Sequence, residues 1–387
     1  MKKIQMVDLK GQYEFIKEEV QTSFNKVLST TSFINGPAVK EFQEDLEHYL
    51  GVKHVIPCAN GTDALQIALM GLKLQPGDEV ITADFTFAAT VEVISLLQLK
   101  PVLVDVDPRT FNIDPQVIEA AISPKTKAII PVHLFGQAAD MQAINKLAEK
   151  YSLFVIEDNA QGIGATYTYD DGNKIKTGAL GHVGATSFFP SKNLGAYGDG
   201  GAIFTNDDDL AHFIRGIVNH GMYKRYYHDV VGVNSRLDSI QAAVLKTKLP
   251  LLDEYCDARR DAARYYNNAF AQNPNISTPT TTSNATPICG EICDSCDCHV
   301  FHQYTLKITN GKRNELHHHL LDKGIPNAIY YPVPLHAQKA YQDTRYKEDD
   351  FTVTNHLIET VISLPMHTEL DEEQLSFITK TINDFVV

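Results

Sequence analysis

The chain has 387 residues, of which 43% are hydrophobic, and this composition is typical of a globular protein with a large core. The 34 basic and 48 acidic residues give a net charge of −14, which argues against a nucleic-acid groove or an anionic membrane surface as partner, since both need basic patches. Residues Met1–Phe15 lack the apolar core of a signal peptide, and no run of about 18 apolar residues occurs, so we expect a cytoplasmic protein without a membrane span.

The first part of the chain combines amphipathic helices with alternating strands and helices. Apolar residues at three- and four-residue spacing predict helices at 12–28 and 37–50, then at 62–72, 87–98, 114–122, 140–150 and 207–218. Short apolar runs predict strands at His54–Cys58, Glu79–Thr82, Val102–Asp105, Ala128–Val132, Leu153–Glu157, Ala185–Phe189 and Ala202–Thr205. Such alternation predicts an α/β fold with a mostly parallel sheet covered on both faces, whose ligands bind beyond the carboxyl ends of the strands.

The pattern changes in the last third of the chain. It predicts helices at 236–249 and 251–272, a polar loop at 275–284, a strand at 300–309, a helix at 311–323, a proline-rich turn at 331–335 and a terminal helix at 371–385. We therefore expect a large α/β domain over residues 1–250. A smaller C-terminal α+β domain would cover residues 251–387 and carry an inserted cysteine-rich loop near 275–299.

Four of the six cysteines fall in one short segment: Cys289, Cys293, Cys296 and Cys298. Tight cysteine spacing can indicate a thiolate metal site, but these spacings match neither a paired C-x-x-C ribbon nor a zinc finger. The alternative is a polar loop whose cysteines stay reduced in the cytoplasm. We expect no metal in the active site, and we keep a site formed by these four cysteines as an alternative.

Three segments place chemically useful groups at predicted strand ends. Asn60–Asp63 follows the first strand and opens a helix, where free N–H groups bind anions; an ordinary helix cap is the simpler interpretation. Asp158 closes an apolar strand, which is costly unless a positive partner meets it, either an arginine or a protonated heterocyclic nitrogen. Phe87 follows the second strand and offers an aromatic ring, although aromatic residues there usually belong to the core.

Lys192 lies between an aromatic run and a glycine-rich segment, SFFPSKNLGAYGDGG. An amine beside apolar rings is desolvated, so its pKa falls toward neutrality, and a neutral amine is a nucleophile toward aldehydes. Ser187 ends the preceding strand and is a candidate phosphate ligand, while the glycines do not form the G-x-G-x-x-G fingerprint. A surface loop is the alternative interpretation. With a carboxylate, a stacking ring and phosphate donors, the lysine completes the set of groups that pyridoxal 5′-phosphate needs.

These segments resemble the motifs of the DegT/DnrJ-type sugar aminotransferases, which have the aspartate aminotransferase fold, PLP-dependent transferase fold type I. The similar segments are Gly36-Pro37, Asn60–Leu65, Pro76–Val80, Phe85–Phe87, Glu157–Gln161, Ser191–Gly195, Gly198–Gly201, Gly232–Asp238 and Tyr331–His336. The resemblance runs from about residue 4 to the C-terminus, with the cysteine-bearing loop as the main unmatched piece.

The resemblance implies a role for several residues at the cofactor ring. Lys192 would hold the cofactor covalently and shuttle a proton between substrate and cofactor. Asp158 would pair with the pyridinium nitrogen and keep the ring an electron sink. Gln161 would contact the phenolic oxygen of the cofactor, and Phe87 would stack on its ring.

The resemblance also implies a phosphate site and a shared active site. Gly61, Thr62 and Ser187 would hold the cofactor phosphate, and Asn234 would reach the same phosphate from a neighbouring subunit, so a homodimer is expected. Arg236 and Tyr331 would lie near the substrate.

The implied reaction moves an amino group from L-glutamate to a keto group of a nucleotide-linked sugar. Family members that remove a hydroxyl instead carry histidine at the position of Lys192. The motifs are most similar to aminotransferases acting on UDP-2-acetamido-2-deoxy-3-oxo-glucuronate, which implies amination at C3 for bacterial surface polysaccharide. A dTDP-3-keto- or 4-keto-6-deoxyhexose is the alternative substrate, and a non-catalytic regulator that binds the cofactor or a nucleotide sugar is the alternative function.

Overall fold

A computed structural model describes the backbone of residues 1–283, 286–289 and 297–387 and the side chains of residues 1–281 and 297–387. The helices are α1 (Leu9–Phe15), α2 (Lys17–Thr30), α3 (Pro37–Leu50), α4 (Gly61–Gly71), α5 (Ala89–Leu96), α6 (Pro115–Ala121), α7 (Met141–Tyr151), α8 (Asp208–Ile217), α9 (Ser239–Lys248), α10 (Leu252–Phe270), α11 (Arg313–Asp322), α12 (Thr352–Thr360) and α13 (Glu372–Phe385). The strands are β1 (His54–Cys58), β2 (Glu79–Ala83), β3 (Lys100–Val104), β4 (Thr126–Ile130), β5 (Phe154–Asp158), β6 (Thr166–Thr168), β7 (Lys174–Lys176), β8 (Val183–Ser187), β9 (Gly201–Thr205), β10 (Met222–Lys224), β11 (Tyr227–His228), β12 (Ile276–Ser277), β13 (Thr281–Ser283), β14 (Thr286–Cys289), β15 (Tyr304–Ile308) and β16 (Val361–Leu364).

Seven strands form the central sheet, in the order β1-β9-β8-β5-β4-β2-β3. Strands β8, β5, β4, β2 and β3 are mutually parallel, whereas β9 is antiparallel to both of its neighbours. Six of the seven strands therefore run in one direction, which confirms the prediction of a mostly parallel α/β sheet. Their carboxyl ends meet at one edge of the sheet, and the ligand site of such a fold lies there.

Alternate residues of the strands enter separate apolar clusters, as both faces of the sheet are covered by helices. On one face Ile130 and Ile156 pack with residues of α4, α5 and α8. On the other face Ile129 and Val155 pack with residues of α6 and α7. Because both faces are buried, the strands have the nearly continuous Val, Ile and Ala content from which they were predicted.

The C-terminal part has its own apolar cluster around the antiparallel sheet β12-β15-β16. Leu306 of β15 and Ile362 of β16 lie in register and pack with residues of α10, α11 and α13. The segment that follows α11, residues 325–337, leaves this cluster and reaches the edge of the central sheet, where the N–H of Leu335 donates to the carbonyl of Asp84 at 3.3 Å. No helix in the described part of the chain is both long and apolar enough to cross a membrane.

Several local predictions were wrong. The helix expected at 12–28 is divided into α1 and α2 at the buried Ile16. The N–H of Ile16 donates to the carbonyl of Tyr13 at the end of α1, and the carbonyl of Ile16 accepts from the N–H of Val20 at the start of α2. The loop expected at 275–284 contains β12 and β13, because Ile276 and Ser277 pair with β15. Helix α12 and strand β16, over Thr352–Leu364, were not predicted.

Candidate active site

A cavity of about 660 Å³ lies at the carboxyl edge of the sheet, between the ends of β2, β4, β5 and β8 and the C-terminal segment. It is lined by eight of the ten residues that the sequence singled out: Gly61, Thr62, Phe87, Asp158, Gln161, Ser187, Lys192 and Tyr331. Residues up to 270 positions apart in the chain thus share one site, because parallel strands bring their carboxyl ends to the same edge and the C-terminal segment reaches that edge.

Asn234 and Arg236 do not line this cavity. Asn234 is exposed, and the Arg236 guanidinium has no hydrogen bond or ion pair with any residue that the structure describes. Ser235, which separates them in the sequence, is buried and accepts a hydrogen bond from the N–H of Ala59 at 3.0 Å. This bond attaches the segment to the residues that directly precede α4. Both flanking side chains are therefore available to another molecule.

Asp158 ends β5 and is 5% exposed. Its Oδ2 accepts a hydrogen bond from the hydroxyl of Thr90 at 2.7 Å, and its Oδ1 accepts one from the N–H of Ala160 at 3.2 Å. Burial raises the pKa of Asp158, while the bonds from Thr90 and Ala160 and the charge of Lys192 oppose that rise. A buried carboxylate in this setting is stabilised when a cation binds to it.

The neighbouring carboxylate, Glu157, is fully buried and has a complete set of partners. Its oxygens accept hydrogen bonds from the backbone N–H groups of Gly178, Leu180 and Gly181 at 2.6–2.7 Å. His133 completes the set, with Nε2 at 2.8 Å from Glu157, while Nδ1 of His133 accepts from the N–H of Ala139. Glu157 therefore fixes the end of β5, and of these two neighbouring carboxylates only that of Asp158 lines the cavity.

Lys192 follows β8 on a turn in which its own N–H donates to the carbonyl of Phe189 at 2.8 Å. The turn is tied down by Asn193, whose amide donates to the carbonyl of Val300 at 3.1 Å. The Lys192 amine makes no hydrogen bond or ion pair with a described residue, and desolvation lowers its pKa to about 8, against the opposing charge of Asp158. This direction agrees with the fall in the pKa of the amine that the sequence led us to expect.

Helix α4 begins at the cavity, with Asn60 as its cap: the Asn60 side chain accepts from the N–H of Asp63 at 2.8 Å. Gly61 packs directly on Ser187, and a Cβ at Gly61 would lie 2.6 Å from the Ser187 Cβ. Gly61 and Thr62, at the start of the helix, line the cavity together with Ser187. This arrangement is typical of a phosphate site.

Aromatic residues form the opposite wall. The rings of Phe87 and Tyr331 are 6.3 Å apart, and Phe87 is 58% exposed. The amide nitrogen of Gln161 donates to the Tyr331 hydroxyl at 3.2 Å, and its oxygen accepts from the N–H of Phe135 at 2.6 Å. The C-terminal segment is thus bonded to the residues that follow β5.

The match to known proteins covers almost the whole chain. Residues 14–383 match the DegT/DnrJ/EryC1/StrS aminotransferase family. The chain belongs to this family. It is therefore an aminotransferase by family, as its motifs predicted.

Three relatives cover nearly the full length. The UDP-2-acetamido-2-deoxy-3-oxo-D-glucuronate aminotransferase of Pseudomonas aeruginosa is 45% identical over 98% of this chain and 100% of the relative. The UDP-N-acetyl-3-dehydro-alpha-D-glucosamine 3-aminotransferase of Acidithiobacillus ferrooxidans is 43% identical over 98% of this chain and 97% of the relative. A protein of Geobacillus stearothermophilus named pleiotropic regulatory protein is 45% identical over 99% of this chain and 98% of the relative.

Solved structures agree with the fold. A DegT/DnrJ/EryC1/StrS aminotransferase from Brucella abortus superimposes with a TM-score of 0.90 at 42% identity, covering 99% of both chains. The structure of NtdA from Bacillus subtilis, with its bound cofactor PMP, has a TM-score of 0.86 at 31% identity and covers 95% of this chain and 81% of that one. The predicted fold type and the predicted cofactor, pyridoxal 5′-phosphate, are confirmed by these relatives.

The residues of this aminotransferase fit that cofactor. The unpartnered Lys192 amine suits its aldehyde, and the buried Asp158 carboxylate suits a protonated ring nitrogen. The space that a Cβ at Gly61 would fill, beside Ser187, suits its phosphate. The cavity therefore offers a partner to the aldehyde, to the ring nitrogen and to the phosphate of the cofactor.

Sequence reasoning missed several polar residues of the site, among them Thr90, His302 and Gln303. Thr90 bonds to Asp158, and the other two line the cavity. Thr90 lies in the apolar pattern of α5, and the two others directly precede β15. The sequence around these residues does not indicate a functional site, since a lone polar residue beside an apolar run is typical of a core residue.

Most of the cysteine segment lies outside the described residues. Cys293 and Cys296 fall in the undescribed part, and only the backbone of Cys289 is described, in β14. Cys298 is buried. Within the described residues no cluster of His, Cys, Asp or Glu could hold a metal ion, which leaves the prediction about the four cysteines untested.

Proposed function

We propose that this aminotransferase moves an amino group from L-glutamate to C3 of a UDP-linked 3-keto-2-acetamido sugar, a uronic acid, for bacterial surface polysaccharide. The observation that carries the proposal is the single cavity in which the Lys192 amine, with its pKa lowered to about 8, lies with the buried carboxylate of Asp158. Two relatives that cover nearly the whole chain are named for amination at C3 of UDP sugars, which supports the position and the nucleotide.

When bound, pyridoxal 5′-phosphate supplies an electron sink that stabilises negative charge on the carbon bearing the reacting nitrogen. The Lys192 amine is partly neutral near pH 8. It can therefore take up a proton at Nζ and release it again, which is what proton transfer between substrate and cofactor requires. Asp158 would pair with the protonated ring nitrogen of the cofactor, and Thr90 keeps one oxygen of this carboxylate in place. The start of α4 and Ser187 would hold the phosphate, and Phe87 and Tyr331 would contact the ring.

The carboxylate of a uronic acid needs a cationic partner. Among the described residues lining the cavity, Lys192 is the single lysine or arginine, and its amine is committed to the reaction. Arg236 is a guanidinium without a partner in the described part of its own chain, and its planar pair of donors suits a carboxylate. We assign Arg236 of a second subunit to the sugar carboxylate.

A homodimer with shared sites follows from the same assignment. Next to Asn234 and Arg236, the chain exposes apolar side chains on and after the β10–β11 hairpin: Tyr226 is 75% exposed, Tyr227 59% and Val231 87%. A patch of this kind is typical of a protein–protein interface. Asn234 of one subunit would then reach the cofactor phosphate of the other.

Mixing two inactive variants tests the shared site. K192A and N234A are each expected to be inactive, but a hybrid dimer contains one site with an intact Lys192 and an intact Asn234 from the other chain. Activity should reappear after the two variants are unfolded and refolded together. If both residues serve a site within one chain, the mixture stays inactive, and size-exclusion chromatography with light scattering then shows whether a dimer forms at all.

The substrate is tested by a panel of keto sugars. The purified protein, first converted with L-glutamate, is offered UDP-3-keto-2-acetamido sugars with and without a C6 carboxylate, and dTDP-3-keto- and 4-keto-6-deoxyhexoses as the alternative class. Mass spectrometry and NMR locate the new amine. We expect amination at C3 and preference for the uronic acid, and amination of a dTDP sugar alone would contradict the proposal.

Borohydride reduction and peptide mapping should place the cofactor on Lys192.

A regulatory function is the second candidate, because a relative at 45% identity is named a pleiotropic regulatory protein. The two functions differ in the response of the bound cofactor to glutamate. An aminotransferase loses the absorbance band of the bound aldehyde form when glutamate is added, and a protein that binds the cofactor without catalysis keeps it. We expect loss of the band. We also propose a cytoplasmic location, which is supported by the buried thiols of Cys58 and Cys256.

A further inference from the structure

His302 is a buried histidine of the active-site cavity to which no role has been given so far. It lies two residues before β15, is 5% exposed and lines the same cavity as Lys192 and Asp158. Its backbone is held on two sides: its carbonyl accepts from the Arg259 guanidinium at 3.4 Å, and its N–H packs against Gly136, where a Cβ would lie 2.9 Å away. The imidazole is therefore presented from a fixed backbone.

One ring nitrogen of His302 has no partner. Nδ1 is buried and makes no hydrogen bond with any described residue. Nε2 lies 3.5 Å from the amide nitrogen of Gln303, and because an amide nitrogen can only donate, Nε2 is the acceptor of this long contact. Nδ1 consequently carries the hydrogen. A buried N–H donor without an acceptor is costly, and a ligand oxygen would remove that cost.

The charge state of the ring narrows the class of ligand. Burial, together with the positive charges of Lys192 and Arg259, lowers the pKa of His302 well below its ordinary value, so the ring is neutral at physiological pH. A neutral N–H suits a hydroxyl or carbonyl oxygen, whereas the carboxylates of an amino donor are better matched by a guanidinium. The position beside Lys192 places the contact near the reacting carbon.

We propose that Nδ1 of His302 donates a hydrogen bond to an uncharged oxygen of the keto sugar and so orients its keto carbon toward Lys192. This inference rests on the proposed function, in which a nucleotide-linked keto sugar is the amino acceptor. It assigns His302 to the sugar half of the reaction and not to the glutamate half. The two halves can be measured separately in the holoenzyme.

The test compares variants that keep or remove a donor at Nδ1. H302L and H302Q remove it, since the glutamine amide lies closer to the position of Nε2, and H302N keeps an N–H at the position of Nδ1. We expect H302L and H302Q to raise KM for the keto sugar by about 10- to 100-fold, the range for a lost bond to a buried group. H302N should recover most of the loss. The glutamate half-reaction, followed by the cofactor absorbance without sugar, should change less than about twofold.

His299 supplies a matched control. It is a buried histidine three residues earlier, but it does not line the cavity, and its Nδ1 already accepts from the N–H of Phe301 at 3.0 Å. H299L should lower the melting temperature and leave KM for the sugar unchanged.

Three results would overturn the inference. In the first, H302N is as impaired as H302L, so the donor is irrelevant. In the second, the glutamate half-reaction falls as far as the sugar half, which places the contact on the cofactor or on Lys192. In the third, H302L and H299L behave alike, which indicates a purely structural role. A wild-type protein that reacts with glutamate but accepts no sugar of the panel contradicts the proposed function itself, and this is seen before any variant is made.

Discussion

Asp84 and His336 form a double contact that joins the C-terminal segment to the end of β2. The N–H of His336 donates to Oδ1 of Asp84 at 2.7 Å, and Nδ1 of His336 lies 2.7 Å from Oδ2. Phe87 lies three residues after Asp84, and Tyr331 lies five residues before His336. The pair therefore anchors to each other the two chain segments that carry the aromatic residues of the active site.

Replacing Asp84 by alanine should loosen the active site as well as the fold. The substitution leaves two donors of His336 without acceptors in a buried place, so the free energy of unfolding should fall by about 2–4 kcal/mol. KM for the keto sugar should rise several-fold, because Phe87 and Tyr331 lose their common anchor. Urea denaturation and steady-state kinetics measure the two effects.

Asp107 provides the comparison for this variant. It is a partly buried carboxylate that bonds to Arg109 and Thr110 and does not line the cavity. D107A should lose stability without a change in KM. An equal change of KM in both variants, or none in D84A, would contradict the assigned function of the Asp84–His336 contact.

Thr90 is expected to keep Asp158 ionised by lowering its pKa. Its hydroxyl bond lowers the pKa of Asp158, so T90V should raise that pKa further and weaken the hold of the carboxylate on the ring nitrogen. A bond to a charged group contributes roughly 1.5–3 kcal/mol, so kcat/KM should fall about 10- to 100-fold with the cofactor still bound. The control is T82V, since the Thr82 hydroxyl donates to the carbonyl of Ile130 and lies outside the cavity. Loss of activity in T82V equal to that in T90V would argue against this specific effect.

The parts of the site that could be predicted are those that a single strand or turn encodes. β1 was predicted with its observed bounds, because a buried strand produces a continuous apolar run. Lys192 and Asp158 were found because a charged residue at the end of such a run is unusual. Their mutual position then followed from the rule that parallel strands end at one edge.

The remaining features depend on contacts distant in sequence. The partner that Glu157 requires is His133, 24 residues earlier, and three N–H groups that only the folded chain brings together. The reversed direction of β9 has no signal in its own composition, since its buried residues suit either direction. Likewise Val361–Leu364 is a short apolar run directly after a helix, without a turn residue to separate the two. Asn234 and Arg236 do not line the cavity of their own chain, and in the proposed dimer they would contribute to the active site of the other subunit.

Lys192 should titrate near pH 8 in protein freed of its cofactor, since desolvation lowers the pKa of its amine to about that value. The neutral amine is the reactive form, so covalent incorporation of pyridoxal 5′-phosphate should accelerate as pH rises through about 8. The Asp158 charge raises the pKa of Lys192, and D158N should therefore move the midpoint to lower pH. Stopped-flow absorbance measures the rate.

Asp199, an exposed carboxylate that lines the active-site cavity, is the control. D199N should keep the pH midpoint of the wild type. A shift in D199N equal to that in D158N would contradict the assigned effect of Asp158 on Lys192.

Lys248 should make the stability of the protein depend on alkaline pH. Its amine is buried, donates to the carbonyl of Gly195 and to Gln12 at 2.8 Å each, and has no carboxylate partner in the described part of the chain. Desolvation lowers its pKa from 10.5 to about 8, so the unfolded state binds more protons between these values and the free energy of unfolding rises with pH there.

The variant K248M removes this titration but keeps every other group. The difference in unfolding free energy between wild type and K248M should therefore grow by about 2–3 kcal/mol, in favour of the wild type, as the pH rises from about 8 to 10.5. Urea denaturation of both proteins across this range measures it. Because Gly195 lies three residues after Lys192 and its carbonyl is bonded to Lys248, K248M should also lower kcat at neutral pH. A difference that stays constant with pH would show that the Lys248 amine is not desolvated in the folded protein.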